Sequence, residues 1–291
     1  MNPLSRFRDS KGRQLLILGT VLLLLLLFLT GWIIHSNRTP VLTEVVISAE
    51  GLPEAFDGLR IVQVSDLHDA EYGEDHEKTV SLIRRADPHI ILLTGDLLDS
   101  RRTNVERTVS FVRQAAEIAP CYYVTGNHEG RLPSEDYAAF EEALLSLGVT
   151  VLHGESVTLE REGETITVAG IDSPLFRHSG HGTPDLSVLC KDGYTILLAH
   201  HPEFVADYAQ AGADLVFSGH VHGGQFRLPL VGGLYGPGQG LFPTYDAGLY
   251  GVSADGHETL LYVHRGLGNS RFPIRLWNRP EVVLAVLEGK S

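Results

Sequence analysis

The pattern of hydrophobic and polar positions divides the chain into an apolar N-terminal segment and a longer region of short alternating patterns. Residues 15–34 read LLILGTVLLLLLLFLTGWII and carry no charged side chain. At about 1.5 Å of rise per residue, this run forms a helix of roughly 30 Å, the thickness of a bilayer core. A surface helix of a soluble domain would show a polar face, which this run lacks. The pattern therefore predicts a membrane-spanning helix.

The charges that flank the apolar run predict its orientation. Behind the run the flank is nearly neutral, whereas ahead of it four basic side chains stand against the single acid Asp9. The four are Arg6, Arg8, Lys11 and Arg13. The positive-inside rule then places residues 1–14 in the cytoplasm and the rest of the chain outside. A cleaved signal would have a shorter apolar run and a small-residue cleavage site. No Ala-x-Ala motif follows here, so an uncleaved anchor is favoured.

From residue 42 onward, short apolar runs alternate with helical spacing, which predicts an α/β domain. Strands are expected at residues 60–65, 89–94, 121–125, 165–169, 194–199, 214–217, 259–263 and 282–287. Helices are expected at residues 76–86 and 134–147, and after Thr103, which can form a capping box with Glu106. We therefore interpret residues 35–41 as a linker. Residues 42–291 are interpreted as one α/β domain whose central sheets are covered by helices.

Composition and charge narrow the classes of function. The chain has 291 residues and a formal net charge of −13. The first fourteen residues carry four basic side chains and one acidic side chain, so the remainder has a net charge of −16. Such acidity argues against binding to nucleic-acid phosphates, which requires a basic face. Cys121 and Cys190 are too few for a disulfide framework or a four-cysteine zinc site, and two buried thiols are favoured over a bridge.

Two glycine-containing loops are also distinctive. Residues 223–251 hold nine glycines and three prolines, but also several large apolar side chains. They are Phe226, Leu228, Leu234, Tyr235, Phe242 and Tyr245. Because a free linker would lack such side chains, we expect an ordered loop packed near a site. In the second loop, His178 and His181 lie among serine and glycine, which favours a surface position over a contact with substrate.

Polar clusters follow five of the predicted strands. They are Ser65–His68, Gly95–Asp99, Gly126–Glu129, Ala199–Pro202 and Ser218–Gln225. Each cluster alone is a weak signal, but the carboxyl ends of strands in α/β sheets line a common crevice. Oxygen and nitrogen ligands without a thiolate favour Mn²⁺, Fe or Zn²⁺ over Ca²⁺ or Mg²⁺. The candidates are too many for one ion, and a carboxylate can bridge two, so we predict a two-metal site.

The order of these motifs is D-x-H, G-D-x-x-D, G-N-H-E, H and G-H-x-H, from Asp66 to His222. It resembles the calcineurin-like metallophosphoesterase superfamily, and within it the membrane-associated bacterial phosphoesterases of the YkuE/YaeI type. The similarity covers about residues 42–288. It implies a four-layer α/β/β/α sandwich, which here follows the predicted transmembrane helix.

The resemblance also implies a role for each motif residue. Seven residues carry over as metal ligands, namely Asp66, His68 and His222 for one ion, Asp96 as the bridge, and Asn127, His200 and His220 for the second ion. His128 would face the scissile phosphate, with Asp99 orienting its ring. His200 is preferred to His201 because the family histidine lies two residues before the proline.

The activity implied is hydrolysis of a phosphodiester, pyrophosphate or phosphomonoester by a hydroxide that bridges two divalent metal ions. Mn²⁺ is the favoured metal, with Fe and Zn²⁺ as alternatives. Membrane placement and the family resemblance favour an envelope or lipid-linked substrate. The flanking charges favour an extracytoplasmic domain, and the acidity favours no nucleic-acid partner. Two alternatives stay open, a non-catalytic binding scaffold and a cytoplasm-facing nucleotide pyrophosphatase. The sequence does not determine the oligomeric state.

Overall fold

The computed structural model describes residues 3–174, 185–190 and 193–290, with side chains from residue 12 onward. The helices are α1 Pro3–Arg38, α2 Glu77–Ala86, α3 Val105–Ala116, α4 Ser134–Ser146, α5 Leu186–Leu189 and α6 Val205–Gln210. The strands are β1 Val41–Ala49, β2 Arg60–Val64, β3 Ile90–Thr94, β4 Cys121–Val124, β5 Thr150–Val151, β6 Glu155–Arg161, β7 Glu164–Ile171, β8 Thr195–Ala199, β9 Leu215–Ser218, β10 Arg227–Leu228, β11 Gly232–Gly233, β12 Tyr235–Gly236, β13 Gly240–Leu241, β14 Gly248–Ala254, β15 His257–Val263 and β16 Glu281–Gly289.

Two six-stranded sheets form the centre of the domain. The first sheet has the order β1-β16-β2-β3-β4-β5, with β2 to β5 parallel and β16 antiparallel to β2. The second sheet has the order β14-β15-β9-β8-β7-β6, with β15, β9, β8 and β7 parallel. Each parallel set therefore directs the carboxyl ends of its strands to one edge of its sheet, which is the edge that carries ligands in α/β folds.

Burial on both faces explains the continuous apolar runs of the central strands. In β3, Ile90 and Leu92 pack in a cluster with the second sheet, whereas Ile91 and Leu93 pack with the helices α2, α3 and α4. The outer face of the second sheet packs on α5 and α6 through Val205 and neighbouring side chains. The order of layers is helices, sheet, sheet, helices. The four-layer α/β/β/α sandwich is thus confirmed.

The edges of both sheets differ most from the pattern-based expectation. None of the four edge strands, β1, β5, β6 and β14, was predicted. The side chains of β6 and β14 alternate between exposed and partly buried positions, and β1 fully buries only Ile47 and Ala49. Because an edge strand buries little of its surface, it lacks the apolar run that marks a central strand. The short helix α6 was missed as well.

The start of α3 corrects the predicted capping box. Asn104, and not Thr103, is the N-cap, since its side chain accepts a hydrogen bond from the Arg107 N–H at 2.9 Å. The Thr103 hydroxyl instead donates to the Asp99 carbonyl at 3.0 Å. The Thr103 hydroxyl closes the loop that carries Asp99 and so does not cap the helix. The next polar side chain, Asn104, therefore binds an N–H group of the first helical turn that has no partner within the helix, and the N-cap lies one residue later than predicted.

Helix α1 has 36 residues and extends beyond the apolar run at both ends, through residues 35–38 that were assigned to the linker. The apolar side chains of residues 15–29 are exposed, and the helix is long and apolar enough to cross a membrane. Its last turns pack on the domain. The Trp32 and Trp277 rings lie 6.1 Å apart, and the Asn37 amide makes two hydrogen bonds with the Arg275 backbone.

Both cysteines lie within the core layers rather than in a bridge. Cys121 begins β4 and packs among the helices of the first sheet, and Cys190 follows α5 on the second sheet. Each thiol is buried and free, as predicted. Burial raises the pKa of Cys121 to about 12 and that of Cys190 to about 11, so neither is a ready nucleophile near neutral pH.

Candidate metal centre

The carboxyl ends of five strands meet at one buried place between the two sheets. Strands β2, β3 and β4 of the first sheet lead into the loops of three motifs, and β8 and β9 of the second sheet lead into the other two. All nine predicted site residues are buried there. They are Asp66, His68, Asp96, Asp99, Asn127, His128, His200, His220 and His222. The expected convergence of strand ends is therefore what the fold produces.

The loops that carry these residues have unusual backbone conformations. Five of the seven candidate ligands have a positive φ, between 48° and 70°. They are Asp66, His68, Asp96, His220 and His222. Such conformations cost energy in residues with a side chain, and they collect at functional sites. Glycines let the loops approach closely, since a Cβ at Gly126 would lie 2.2 Å from Asp96 Oδ1 and one at Gly219 would lie 2.0 Å from Ser65 Oγ.

Asp66, His68 and His222 form the first ligand cluster. His222 Nε2 lies 3.4 Å from Asp66 Oδ1 and 3.1 Å from His68 Nε2. All three side chains are buried, and one ligand atom of each lies within 4.8 Å of the other two. Two imidazole nitrogens and a carboxylate at these separations form a donor set that suits a divalent transition metal.

Asp96, His200 and His220 form the second cluster. His200 Nε2 lies 3.4 Å from Asp96 Oδ2, and the same oxygen lies 3.7 Å from His68 Nε2 of the first cluster. Asp96 therefore stands between the two clusters, as a bridging carboxylate would. Another histidine, His201, groups with Glu203 beside His220.

The hydrogen bonding of His200 shows that the second cluster fits a cation. His200 Nδ1 lies 2.8 Å from the Thr94 carbonyl and must donate to it, so the neutral ring has its lone pair on the buried Nε2. That nitrogen has no hydrogen-bond partner among the described residues. Asn127 is adjacent, since its side-chain amide lies 2.7 Å from His220 Nδ1. A bound cation would supply the partner that His200 Nε2 lacks.

The electrostatics of the site suit metal binding. Burial lowers the pKa of His68 to about 3 and holds those of His220 and His222 well below the usual value, so their lone pairs are available. Burial also raises the pKa of Asp66 to about 7. Burial alone would lower the pKa of His200, but Asp96 raises it to about 10. Bound cations would replace the protons that Asp66 and His200 otherwise retain.

His128 lies beside the clusters with a different set of partners from the one predicted. Its Nδ1 is 3.5 Å from Asp99 Oδ1, but the nearer contact is the Ser100 N–H, which donates to Nδ1 at 3.1 Å. Ser270 Oγ lies 3.2 Å from Nε2. Asp99 accepts from Arg102 Nη2 at 2.8 Å. Asp99 is thus near His128, but Nδ1 accepts its hydrogen bond from Ser100, and the orienting role of Asp99 stays a prediction.

Three supporting residues received no role at the site from the sequence analysis. Glu129 is fully buried, and its carboxylate accepts the backbone N–H groups of Asp96, Leu98 and Gly126 at 2.8–3.0 Å. Its place in the G-N-H-E motif was the available signal. Ser270 and the buried Arg275, whose Nη2 lies 3.1 Å from His222 Nδ1, come from a distant loop. No local pattern marks these two.

A cavity of about 240 Å³ opens over the clusters. Asp96, Asn127, His128, His220 and His222 line its floor, and three exposed arginines line the walls. These arginines are Arg101, Arg131 and Arg271. Tyr235 and Phe272 add apolar surface. An anion that enters therefore meets guanidinium groups first and the clusters of candidate ligands beneath them.

The comparison with known proteins agrees with this geometry. The family model for calcineurin-like phosphoesterase matches residues 59–224, more than half of the chain. The chain belongs to the calcineurin-like phosphoesterases. This phosphoesterase is 32% identical over 270 residues to the zebrafish "Transmembrane protein with metallophosphoesterase domain", over 88% of this chain and 59% of that protein. It thus spans little more than half of that relative.

Two bacterial relatives bear out the resemblance to the YkuE/YaeI type. The phosphoesterase is 31% identical to the metallophosphoesterase YkuE of Bacillus subtilis over 86% of each chain. It is 30% identical to the phosphodiesterase YaeI of Escherichia coli over 69% of this chain and 70% of that one. Its remaining loop candidates, His178 and His181, lie outside the described residues.

Proposed function

We propose that this phosphoesterase is a membrane-anchored, dinuclear metal-dependent enzyme. Its substrate would be a phosphodiester, pyrophosphate or phosphomonoester in an envelope or lipid-linked compound. The observation that carries the proposal is the pair of buried ligand clusters that share Asp96 under an arginine-lined cavity. The seven ligands would be those named from the sequence, and Mn²⁺ is favoured over Fe and Zn²⁺.

The residues around the cavity have distinct tasks in this reaction. When bound, the two ions supply Lewis acidity and an activated water for attack on phosphorus. The Ser100 N–H donates to His128 Nδ1, so the neutral ring carries its proton on Nε2, beside Ser270. His128 can thus donate a hydrogen bond from Nε2 to the leaving oxygen or to the phosphoryl group, which stabilises the negative charge that develops there. Arg101, Arg131 and Arg271 would hold the anionic substrate.

Helix α1 supports the membrane part of the proposal. It has the length and composition of a spanning helix, and the zebrafish relative carries "transmembrane" in its name. The basic N-terminal flank favours a domain outside the cytoplasm. The acidity of the domain repels free polyanions at long range, which disfavours nucleic acid and is compatible with a substrate presented by the membrane.

Asp96→Asn tests the metal centre directly. We expect hydrolysis of bis(p-nitrophenyl) phosphate by the detergent-purified full chain with Mn²⁺ to fall by about 100-fold or more, because the shared ligand loses its charge. Bound metal, measured by mass spectrometry, should fall below about two ions per chain. Asp214→Asn is the matched control, since Asp214 lies away from the clusters and accepts the Thr195 N–H. Wild-type activity and metal content in Asp96→Asn would contradict the proposal.

A further inference from the structure

The turn between β10 and β11 has an unusual sequence for an exposed tip. Its residues are Leu228-Pro229-Leu230-Val231, where glycine, asparagine, aspartate or serine is typical. Leu230 is fully exposed and has a φ of 66°, a conformation that disfavours a leucine, and Val231 is 60% exposed. Four consecutive apolar residues at a solvent-facing tip are unfavourable in water, so another environment is needed to explain them.

A second apolar segment lies against this turn. Phe272, Ile274 and Trp277 are each about half exposed. The Arg227 N–H donates to the Leu276 carbonyl at 2.9 Å, and the rings of Phe226 and Phe272 lie 5.8 Å apart. Gln225 Nε2 also donates to the Ile274 carbonyl at 2.7 Å. Residues 228–231 and 272–277 therefore belong to one continuous surface, which we call the apolar rim.

Helix α1 leaves the domain at the apolar rim. Trp32 contacts Trp277, Asn37 makes two hydrogen bonds with the Arg275 backbone, and Arg279 Nη2 donates to the Thr39 carbonyl at 2.8 Å. From Trp32 towards the N-terminus, the helix is the apolar run itself. When that run spans a bilayer, Trp32 lies at its interface, where tryptophan is commonly found, and Trp277 lies at the same level.

We propose that the apolar rim rests in the interface of the bilayer that α1 spans, with the tip at residues 228–231 inserted towards the acyl chains. Aromatic and aliphatic side chains on one face are typical of surfaces that lie in this layer. Arg271, which is exposed beside Phe272, matches anionic headgroups. The contacts of Trp32 and Asn37 fix the position of the rim relative to the membrane, and this favours the bilayer over a second copy of the chain.

The substrate class follows from this placement, and this step rests on the proposed function. Phe272 and Arg271 line the cavity over the metal clusters, and Phe272 is also part of the rim. The cavity thus opens beside the membrane surface. An amphiphile that stays in the bilayer, with its phosphoryl group at headgroup level, could enter without leaving the lipid. The docking itself does not depend on any activity.

Tryptophan fluorescence tests the docking without turnover. The chain has two tryptophans, Trp32 and Trp277, so Trp32→Phe with Trp277→Phe removes both. In that background, Leu230→Trp is placed in phosphatidylcholine vesicles with or without brominated acyl chains. We expect bromine to quench its emission by at least about half. Leu145→Trp is the matched control, because Leu145 is also a leucine and is 58% exposed on α4. Its emission should be unaffected.

Trp277→Phe alone leaves Trp32 as the only tryptophan, so its emission reports on insertion of the helix. We expect the brominated acyl chains to quench this emission strongly. If Trp32 is quenched but Leu230→Trp is not, the docking is wrong while the anchor stands. An unquenched but blue-shifted Leu230→Trp would indicate burial against a second copy and would also overturn the proposal. If Trp32 is not quenched, anchor and docking both fail, whatever the phosphoesterase assay shows.

Discussion

His200 and His201 are adjacent in the chain, but their imidazoles have different surroundings. His200 Nε2 is buried, faces Asp96 and has no hydrogen-bond partner in the part of the chain that the structure describes. His201 uses both of its nitrogens, since Nδ1 lies 3.0 Å from Glu203 Oε1 and Nε2 lies 2.9 Å from Ser173 Oγ. A metal ligand must have a free lone pair, so the geometry favours His200, the residue preferred from the sequence.

Alanine substitution at the two positions should therefore have unequal effects. We expect His200→Ala to lose about one bound ion per chain and about 100-fold in the hydrolysis rate, because the second cluster loses a ligand. His201→Ala should keep about two ions and lose less than about tenfold. Metal analysis and kinetics of both purified variants make the comparison. If His201→Ala loses metal and His200→Ala does not, the ligand is His201 and the assignment of His200 is wrong.

Strand ends and loops, rather than whole strands, join the two sheets near the site. His153, in the turn before β6, lies between Glu141 of α4 and Asp172 after β7, with contacts of 2.5 and 2.9 Å. Thr125, just after β4, donates to the same Asp172 at 2.7 Å. Burial alone would lower the pKa of His153, but the Asp172 and Glu141 carboxylates raise it to about 9. The protonated ring thus links a helix to both sheets.

This network predicts a pH dependence of stability. The folded-state pKa of His153 is above its unfolded value of about 6.5, so its contribution is complete below pH 6.5 and is lost as the pH rises through 9. We expect roughly 1–3 kcal/mol of the unfolding free energy to disappear over this range. His153→Gln should reduce that slope, and so should Asp172→Asn. Urea unfolding of the full chain in detergent at pH 6.5, 8 and 9.5 measures it. An unchanged slope in His153→Gln would rule out this role.

The charge distribution and the position of α1 predict how the whole molecule is oriented relative to the membrane. The basic flank of residues 1–14 and the strongly acidic remainder stand on opposite sides of the apolar run. The helix is attached next to the cavity rather than at the far end of the sandwich, through Asn37 and Arg275. Helix α1, the apolar rim and the candidate metal centre therefore lie on one side of the domain, and we expect all three to face the outer surface of the membrane.

Thiol labelling in intact cells tests that orientation. Glu50→Cys places a thiol at an exposed turn after β1, whereas Ser5→Cys places one in the basic N-terminal flank. The native Cys121 and Cys190 are buried and should react slowly. We expect a membrane-impermeant maleimide to label Glu50→Cys in intact cells and to label Ser5→Cys only after lysis. The opposite pattern would support a cytoplasm-facing domain.

The sequence by itself determined the features that depend on neighbouring residues. The apolar run, the central strands and the polar motifs at their ends are local patterns, and each reflects burial on one or both faces of a single element. For the same reason the polar residues that follow these strands, such as Asp66 and His220, lie at the edges of the sheets. Their assignment as metal ligands came from the family resemblance and stays a prediction.

The tertiary structure decided what depends on packing between distant elements. It brought Ser270 to His128 and Arg275 to His222, from a loop about 50 residues or more away in the chain. It also added the edge strands, which bury too little surface to leave a pattern, and attached α1 to the apolar rim. Contacts of this kind form only when the two sheets pack on each other around a common core, so they cannot be predicted from a short stretch of neighbouring residues.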